Sequence, residues 1–267
     1  MKGIEDMNLV DGTIVERTPF PSPHPTINLY TVTYVADGLQ IKGLLAEPQG
    51  EERLDGFLYL RGGINNVGQV RPGRIIQFAA EGFIVFAPFY RGNQGGEGYD
   101  DFVGDNRRDA YAAYTLLANL PRVNQVHVFG FSRGGLMALW TAITCPTVAS
   151  VVTWGGVSDA AFMYKERLDL RRMLKRVVGG SPTKYPERYV ARTPLHQIEK
   201  IKCPILIIHG AQDENVSILH SKKLEVKLLQ HKKDVESWYF REYTHFFPPS
   251  INRRTVENLS NWMKTRR

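Results

Sequence analysis

The chain is 267 residues long, with 43% hydrophobic and 23% charged residues, which supplies a full apolar core and excludes a disordered chain. Its 34 Lys and Arg against 27 Asp and Glu give a net charge of +7, a bias compatible with nucleic acid, an anionic surface or an acidic substrate that does not choose among them. The two cysteines, Cys145 and Cys203, form no CxxC pair or His/Cys cluster, and no apolar run reaches the ~18 residues that span a bilayer, so no disulfide scaffold, metal site or membrane span is expected.

The segment from Met1 to Val10 lacks the apolar core of a signal peptide, and together with free thiols this predicts a cytoplasmic protein. Residues 1–28 form an N-terminal extension in which Pro19, Pro21, Pro23 and Pro25 dictate extended, non-helical backbone. Residues 30–36 and 39–46 are β-rich and flank Asp37-Gly38, predicting an antiparallel hairpin that begins a sheet. From residue 55 onward strands and helices alternate, the signature of a mostly parallel sheet with helices on both faces. Strands are predicted at 56–60, 83–88, 126–129, 148–154, 204–209 and 235–240, and helices at 72–80, 107–120, 134–143, 217–230 and 255–264. The alternation fails over about 156–200, a stretch longer than a strand-to-strand crossover needs, so it is assigned as a helical cap insertion. There Tyr164, Leu168, Met173, Leu174 and Val177 share much of one helical face, crowded by Lys165, Arg167, Arg171, Arg172, Lys175 and Arg176. That pattern suits either a solvated helix packed on the body or a basic cap over a substrate cleft. No repeat or linker divides the chain, and a single domain over 1–267 is expected.

Gly130-Phe131-Ser132-Arg133-Gly134 has the form G-x-S-x-G and falls where a predicted strand meets a predicted helix. The glycines have a steric reason, because a nucleophile elbow holds its serine in strained backbone with no room for side chains two positions either way. A serine hydroxyl needs a base to take its proton and a carboxylate to orient that base. Asp213 follows the strand at 204–209 and His245 follows the strand at 235–240, both on loops at carboxyl ends of strands, where α/β folds collect site residues. Ser, Asp, His is also the chain order of α/β-hydrolases. Glu214 and Asp159 are alternative orienting acids. Among the other histidines, His209 shapes the turn before Gly210, His127 is a sheet residue, and His24, His196, His220 and His231 are expected to be solvated. The backbone N–H of Arg133 is the first expected oxyanion donor, and the glycine loop Arg61-Gly62-Gly63-Ile64 supplies the second, from Gly63 or alternatively Ile64.

These motifs resemble the catalytic domain of the prolyl-oligopeptidase family of serine peptidases, within the α/β-hydrolase superfamily, and especially its short bacterial members. The resemblance rests on Arg61 to Ile64, on Tyr90-Arg91-Gly92, on Gly-Phe-Ser-Arg-Gly-Gly at 130–135, on His-Gly-Ala-Gln-Asp-Glu-Asn-Val at 209–216 and on Thr-His-Phe around 245, with 81 positions from serine to aspartate and 32 from aspartate to histidine. It implies an α/β-hydrolase fold, catalysis by Ser132, Asp213 and His245 without metal or organic cofactor, and hydrolysis of a small peptide or ester substrate. The chain departs from the family's pattern in three places. The ~50 residues ahead of the core are too few for two blades of the β-propeller that filters substrates in larger members. Arg61 stands where relatives often have tyrosine or histidine, so no side-chain hydroxyl donor to the oxyanion is available there. The aromatic frame around a substrate proline is replaced by Arg133, Val157, Ala160 and Met163. Substrate contacts are therefore expected from Arg61, Ile64, Arg133, Val157 and Met163. A carboxylesterase is the alternative activity, and a non-catalytic protein binding through its basic cap is a second alternative. No nucleic-acid motif accompanies the positive charge, no membrane partner is expected, and a homo-oligomer would restrict substrate access in place of a propeller.

Overall fold

Asp37 and Gly38 both adopt positive φ, 55° and 74°, the left-handed pair that a tight hairpin turn requires. The hairpin lies within the described residues of the computed structural model, 9–266. Residues 1–8 of the predicted N-terminal extension, which carry most of the segment without a signal-peptide core, lie outside them. Ahead of the hairpin is a strand that the prolines conceal: β1 (Ile14–Phe20) pairs antiparallel with β2 (Ile27–Ala36), and Pro19 stands opposite Tyr30. β1 is the edge of the sheet, the place in a sheet that tolerates proline, because only one side of the strand has a neighbour to bond. The sheet therefore begins one strand earlier than the hairpin formed by β2 and β3 (Leu39–Pro48).

Then the parallel part follows. β4 (Leu54–Leu60), α1 (Pro72–Ala79), β5 (Phe83–Pro88), α2 (Arg107–Ala118), β6 (Val123–Phe131), α3 (Gly134–Thr144) and β7 (Ser150–Trp154) alternate as the pattern predicts. After β7 come three cap helices, α4 (Ala160–Glu166), α5 (Arg171–Val178) and α6 (Pro186–Val190), and then β8 (Ile205–Gly210), α7 (Leu219–Gln230), β9 (Val235–Phe240) and α8 (Pro249–Lys264). α8 starts six positions ahead of the predicted residue 255, because Pro249 sits in the first turn, where the missing N–H has no helical partner to lose. The described strands form one sheet in the order β1-β2-β3-β5-β4-β6-β7-β8-β9. β4 through β9 run parallel, and β3 pairs antiparallel with β5. Phe83–Pro88 is apolar throughout, Ile205–Gly210 is apolar except for His209 near its end, and both are buried on both faces, as parallel strands between helices must be.

Each face of the sheet has its own core. On one, Phe57 stacks on Phe78 of α1 at 4.3 Å between ring centres and meets Phe129 at 5.5 Å, with Leu259 and Met263 of α8 completing the layer. On the other, α2, α3 and α7 cover the sheet through residues such as Ala113, Leu136 and Leu224, and Leu174 of the cap joins them. The cap is not the single amphipathic helix that Tyr164 to Val177 suggested. At Arg167 the backbone leaves the helical region (φ −99°, ψ 83°) and separates α4 from α5. Leu168 lands in the break, 66% exposed, while Arg171 turns back to donate to the carbonyls of Tyr164 (3.0 Å) and Lys165 (2.9 Å). Part of the basic charge thus closes the end of α4 by bonding its last carbonyls.

Truncating Phe57 to alanine is expected to cost about 3–5 kcal/mol, the range for deleting a buried aromatic ring. Leu168→Ala is expected to change stability by less than about 0.5 kcal/mol. Urea unfolding followed by far-UV circular dichroism checks both.

Candidate active site

Ser132 occupies the turn between β6 and α3 with φ at 56°, a left-handed geometry that costs a residue with a side chain about 1–3 kcal/mol and persists only where the surroundings impose it. They do so through three backbone bonds. The Ser132 N–H donates to Trp154 O at 3.1 Å, and its carbonyl accepts from the N–H groups of Gly135 and Val157, both at 2.9 Å. The turn also needs its glycines: a Cβ on Gly130 would run into the carbonyl of Gly134, and one on Gly134 into the carbonyl of Leu60.

Asp213 and His245 come together on the loops after β8 and β9. His245 Nδ1 lies 2.7 Å from Asp213 Oδ2, with the histidine 5% exposed and the carboxylate enclosed. The other carboxylate oxygen accepts the N–H groups of Asn215 (2.8 Å) and Val216 (2.9 Å). Burial works against the charged carboxylate, but hydrogen bonds from His209 and His245, the charge of His245 and the Val216 N–H outweigh it and hold Asp213 well below the usual carboxylate range. The bond to Asp213 commits Nδ1 and leaves Nε2 as the ring nitrogen available for proton transfer. The end of β7 lies among all three groups. Trp154 binds the Ser132 amide, and the next residue is Gly155, where a Cβ would stand 3.1 Å from His245 Nδ1 and 3.2 Å from Asp213 Oδ2. The Phe131 ring, adjacent to Ser132 in sequence, lies 4.6 Å from the imidazole of His245 between ring centres.

The glycine loop after β4 closes against the serine. A Cβ on Gly62 would be 2.7 Å from Ser132 Cβ and 3.2 Å from its Oγ, so the backbone approaches the hydroxyl as closely as it can. The five expected substrate contacts have interior positions instead. Arg133 is 1% exposed, and its guanidinium forks onto Asp100 at 2.6 and 3.0 Å. Arg61 is 2% exposed and donates to carbonyls of Gly62, Val67 and Phe89. Ile64, Val157 and Met163 are buried in the core that runs up to the cap. The two arginines thus have protein acceptors, which the sequence could not show because Asp100 and Phe89 are distant from them along the chain.

Of the alternative acids, Asp159 accepts the Phe162 N–H at 2.9 Å as the cap of α4, and Glu214 is exposed. His127 is buried in β6 with Ser150 Oγ at 2.8 Å. His220 differs from its expected solvated state: it is buried, with Glu166 at 3.0 Å and the Ser158 N–H at 3.3 Å. His209 does more than shape a turn. Its Nε2 lies 2.9 Å from Val216 O and 3.3 Å from Asp213 Oδ2, and its Nδ1 lies 2.6 Å from Ser221 Oγ. Val216 O can only accept, so Nε2 carries the hydrogen, and the ring supports Asp213 at the same oxygen that binds His245. Its place four residues ahead of Asp213, at the end of an apolar strand, was the available signal. Among the described residues no group of three or more His, Cys, Asp or Glu side chains could hold a metal ion.

The sequence matches the family model of the prolyl oligopeptidase family over residues 69–266. The chain belongs to that family. It is 59% identical over 256 residues to the uncharacterized peptidase YtmA of Bacillus subtilis, covering 95% of this chain and 100% of that protein. Its fold is similar to a puromycin-hydrolyzing peptidase of Mycobacterium tuberculosis (TM-score 0.80, 19% identity, 91% of this chain and 40% of the other). It is also similar to acetyl xylan esterase 1 of Thermoanaerobacterium (TM-score 0.72, 18% identity, 94% and 88%). This prolyl oligopeptidase-family protein has the α/β-hydrolase fold and is a serine hydrolase. No described helix is long and apolar enough to cross a membrane.

The lowered pKa of Asp213 gives stability a pH dependence of definite sign. A carboxyl group whose folded pKa lies below its unfolded value of about 3.9 contributes stability that is complete above that value and is lost as pH falls through the folded one. The stability difference between the wild type and Asp213→Asn is therefore expected to shrink as pH falls below about 4. Urea titrations across this range measure it.

Proposed function

We propose that the protein hydrolyses acyl bonds of small peptides through an acyl-enzyme on Ser132. His245 Nε2 takes the hydroxyl proton as Oγ bonds to the substrate carbonyl carbon, and the carbonyl π electrons move onto oxygen. That oxyanion is received by the backbone N–H groups of Arg133 and Gly63. As the tetrahedral intermediate collapses, His245 gives the proton to the leaving amine, and a water molecule then clears the acyl group by the same steps. Asp213 holds the imidazole with Nδ1–H inward and stabilises its cationic form. The observation that carries this reading is the 2.7 Å His245–Asp213 bond at the end of β7, the strand end whose Trp154 carbonyl anchors the strained amide of Ser132.

Peptide over ester is favoured by the YtmA relative, which covers nearly the whole chain and is named a peptidase. Esters use the same groups, and a carboxylesterase is the second reading, since an activated ester leaves without needing the proton that an amine requires. Membership of a hydrolase family removes the support for the non-catalytic binding alternative. Cys145 and Cys203 are free thiols, which suits the reducing cytoplasm as the place of action.

Ser132→Ala is expected to abolish labelling by a fluorophosphonate probe and to lower kcat by about 10⁴-fold or more. Retained labelling or normal turnover would refute the assignment. A kcat/KM comparison of aminoacyl and dipeptidyl amides with short-chain aryl esters decides between peptidase and esterase: activity on the amides is expected, and turnover confined to the esters would establish the second reading.

A further inference from the structure

Arg61 is a buried cation whose direct partners are carbonyls. Its Nη1 donates to Gly62 O and to Val67 O, each at 3.0 Å, and Nη2 and Nε donate to Phe89 O at 3.0 and 3.3 Å. Among the described residues it makes no ion pair with an acidic side chain. It shares the Tyr90 ring with a second cation: the guanidinium carbons of Arg61 and Arg133 each lie 5.2 Å from the ring centre. Burial first, and the charge of Arg133 second, lower its pKa to about 10, so the guanidinium stays charged at neutral pH. Burying a charge without an ion pair is expensive compared with an apolar side chain such as methionine, and the carbonyls it holds give the charge a use there.

The Gly62 carbonyl and the Gly63 N–H belong to one peptide unit, which is planar and trans, so the two point in opposite directions. Arg61 grips the carbonyl from inside the protein. The N–H is thereby turned the other way, at a loop whose preceding Cα already lies against Ser132. The bond to Val67 O ties down the far end of the same loop, and the Phe89 bonds anchor the whole fork to the end of β5. We propose that Arg61 is a positioning residue that aims the Gly63 N–H at the oxyanion, so that the backbone, oriented by a guanidinium beneath the loop, stabilises the tetrahedral intermediate. The proposal rests on the acyl-enzyme reading above and deepens it. It also explains how a site without a tyrosine or histidine at this position retains a second oxyanion donor.

The test compares Arg61→Met and Arg61→Lys with the wild type, each normalised to active sites counted by fluorophosphonate labelling. Three quantities are read: kcat and KM for an aryl ester, and the inhibition constant of an alkyl trifluoromethyl ketone. In that adduct Ser132 Oγ bonds to the ketone carbon, the C=O electron pair becomes an oxyanion, and the hydroxyl proton passes to His245. Arg61→Met is expected to lower kcat about 10- to 100-fold, below the full loss of an oxyanion donor, with KM within about threefold and ketone affinity falling in parallel with kcat. Arg61→Lys, which keeps the charge but not the planar fork, is expected to recover only part of both losses, and it carries the test if the methionine variant does not fold. Wild-type kcat per labelled site, a loss confined to KM, or unchanged ketone affinity would overturn the proposal. These outcomes leave the serine assignment standing, whereas labelling of Ser132→Ala would overturn the reading beneath it.

Discussion

The backbone at Ser132 is the constraint on which the site depends. A serine at φ 56° is unfavourable by itself, and it is held there because β6 ends against β7 and the turn is bonded on both sides of its peptide. The same packing that imposes the strain lifts the hydroxyl out of the sheet at the carboxyl end of β6, beside the loops that follow β4, β7, β8 and β9. Parallel strands bring those loops to one rim, and two separate hydrophobic cores, one on each face, make the rim rigid.

Two histidines share one carboxylate oxygen of Asp213, and their positions differ in consequence. His245 is on a loop with exposed Phe246 beside it, whereas His209 is fully buried at the end of β8 and is fixed by Val216 and Ser221. With two backbone amides on the remaining oxygen, the carboxylate is fully solvated by protein and stays ionised. It therefore holds the imidazole in one orientation without competing for its proton.

Much of this was legible in the sequence, and the exceptions have physical reasons. The elbow, Asp213 and His245 are legible because each follows a strand of the alternating region, and alternation of strand and helix places such positions together. β1 was hidden because proline argues against a strand except at an edge, and edges are a property of the sheet rather than of the segment. The division of the cap into several helices was not legible, because periodicity records which residues are apolar but not that the backbone breaks at Arg167. Arg61 and Arg133 looked like cations facing a substrate. Their acceptors, Phe89 and Asp100, come from other parts of the chain, so a count of charges could not distinguish a surface patch from a buried scaffold. The same limitation concealed His220, whose partner Glu166 lies 54 positions earlier, at the end of α4.

The most direct test is rapid quenching of the enzyme during turnover of an activated acetyl ester, followed by peptide mass mapping. One acetyl group per chain is expected, carried by Ser132 and disappearing as substrate is exhausted. Turnover with no acetyl group on Ser132, or with the group on another side chain, would contradict it.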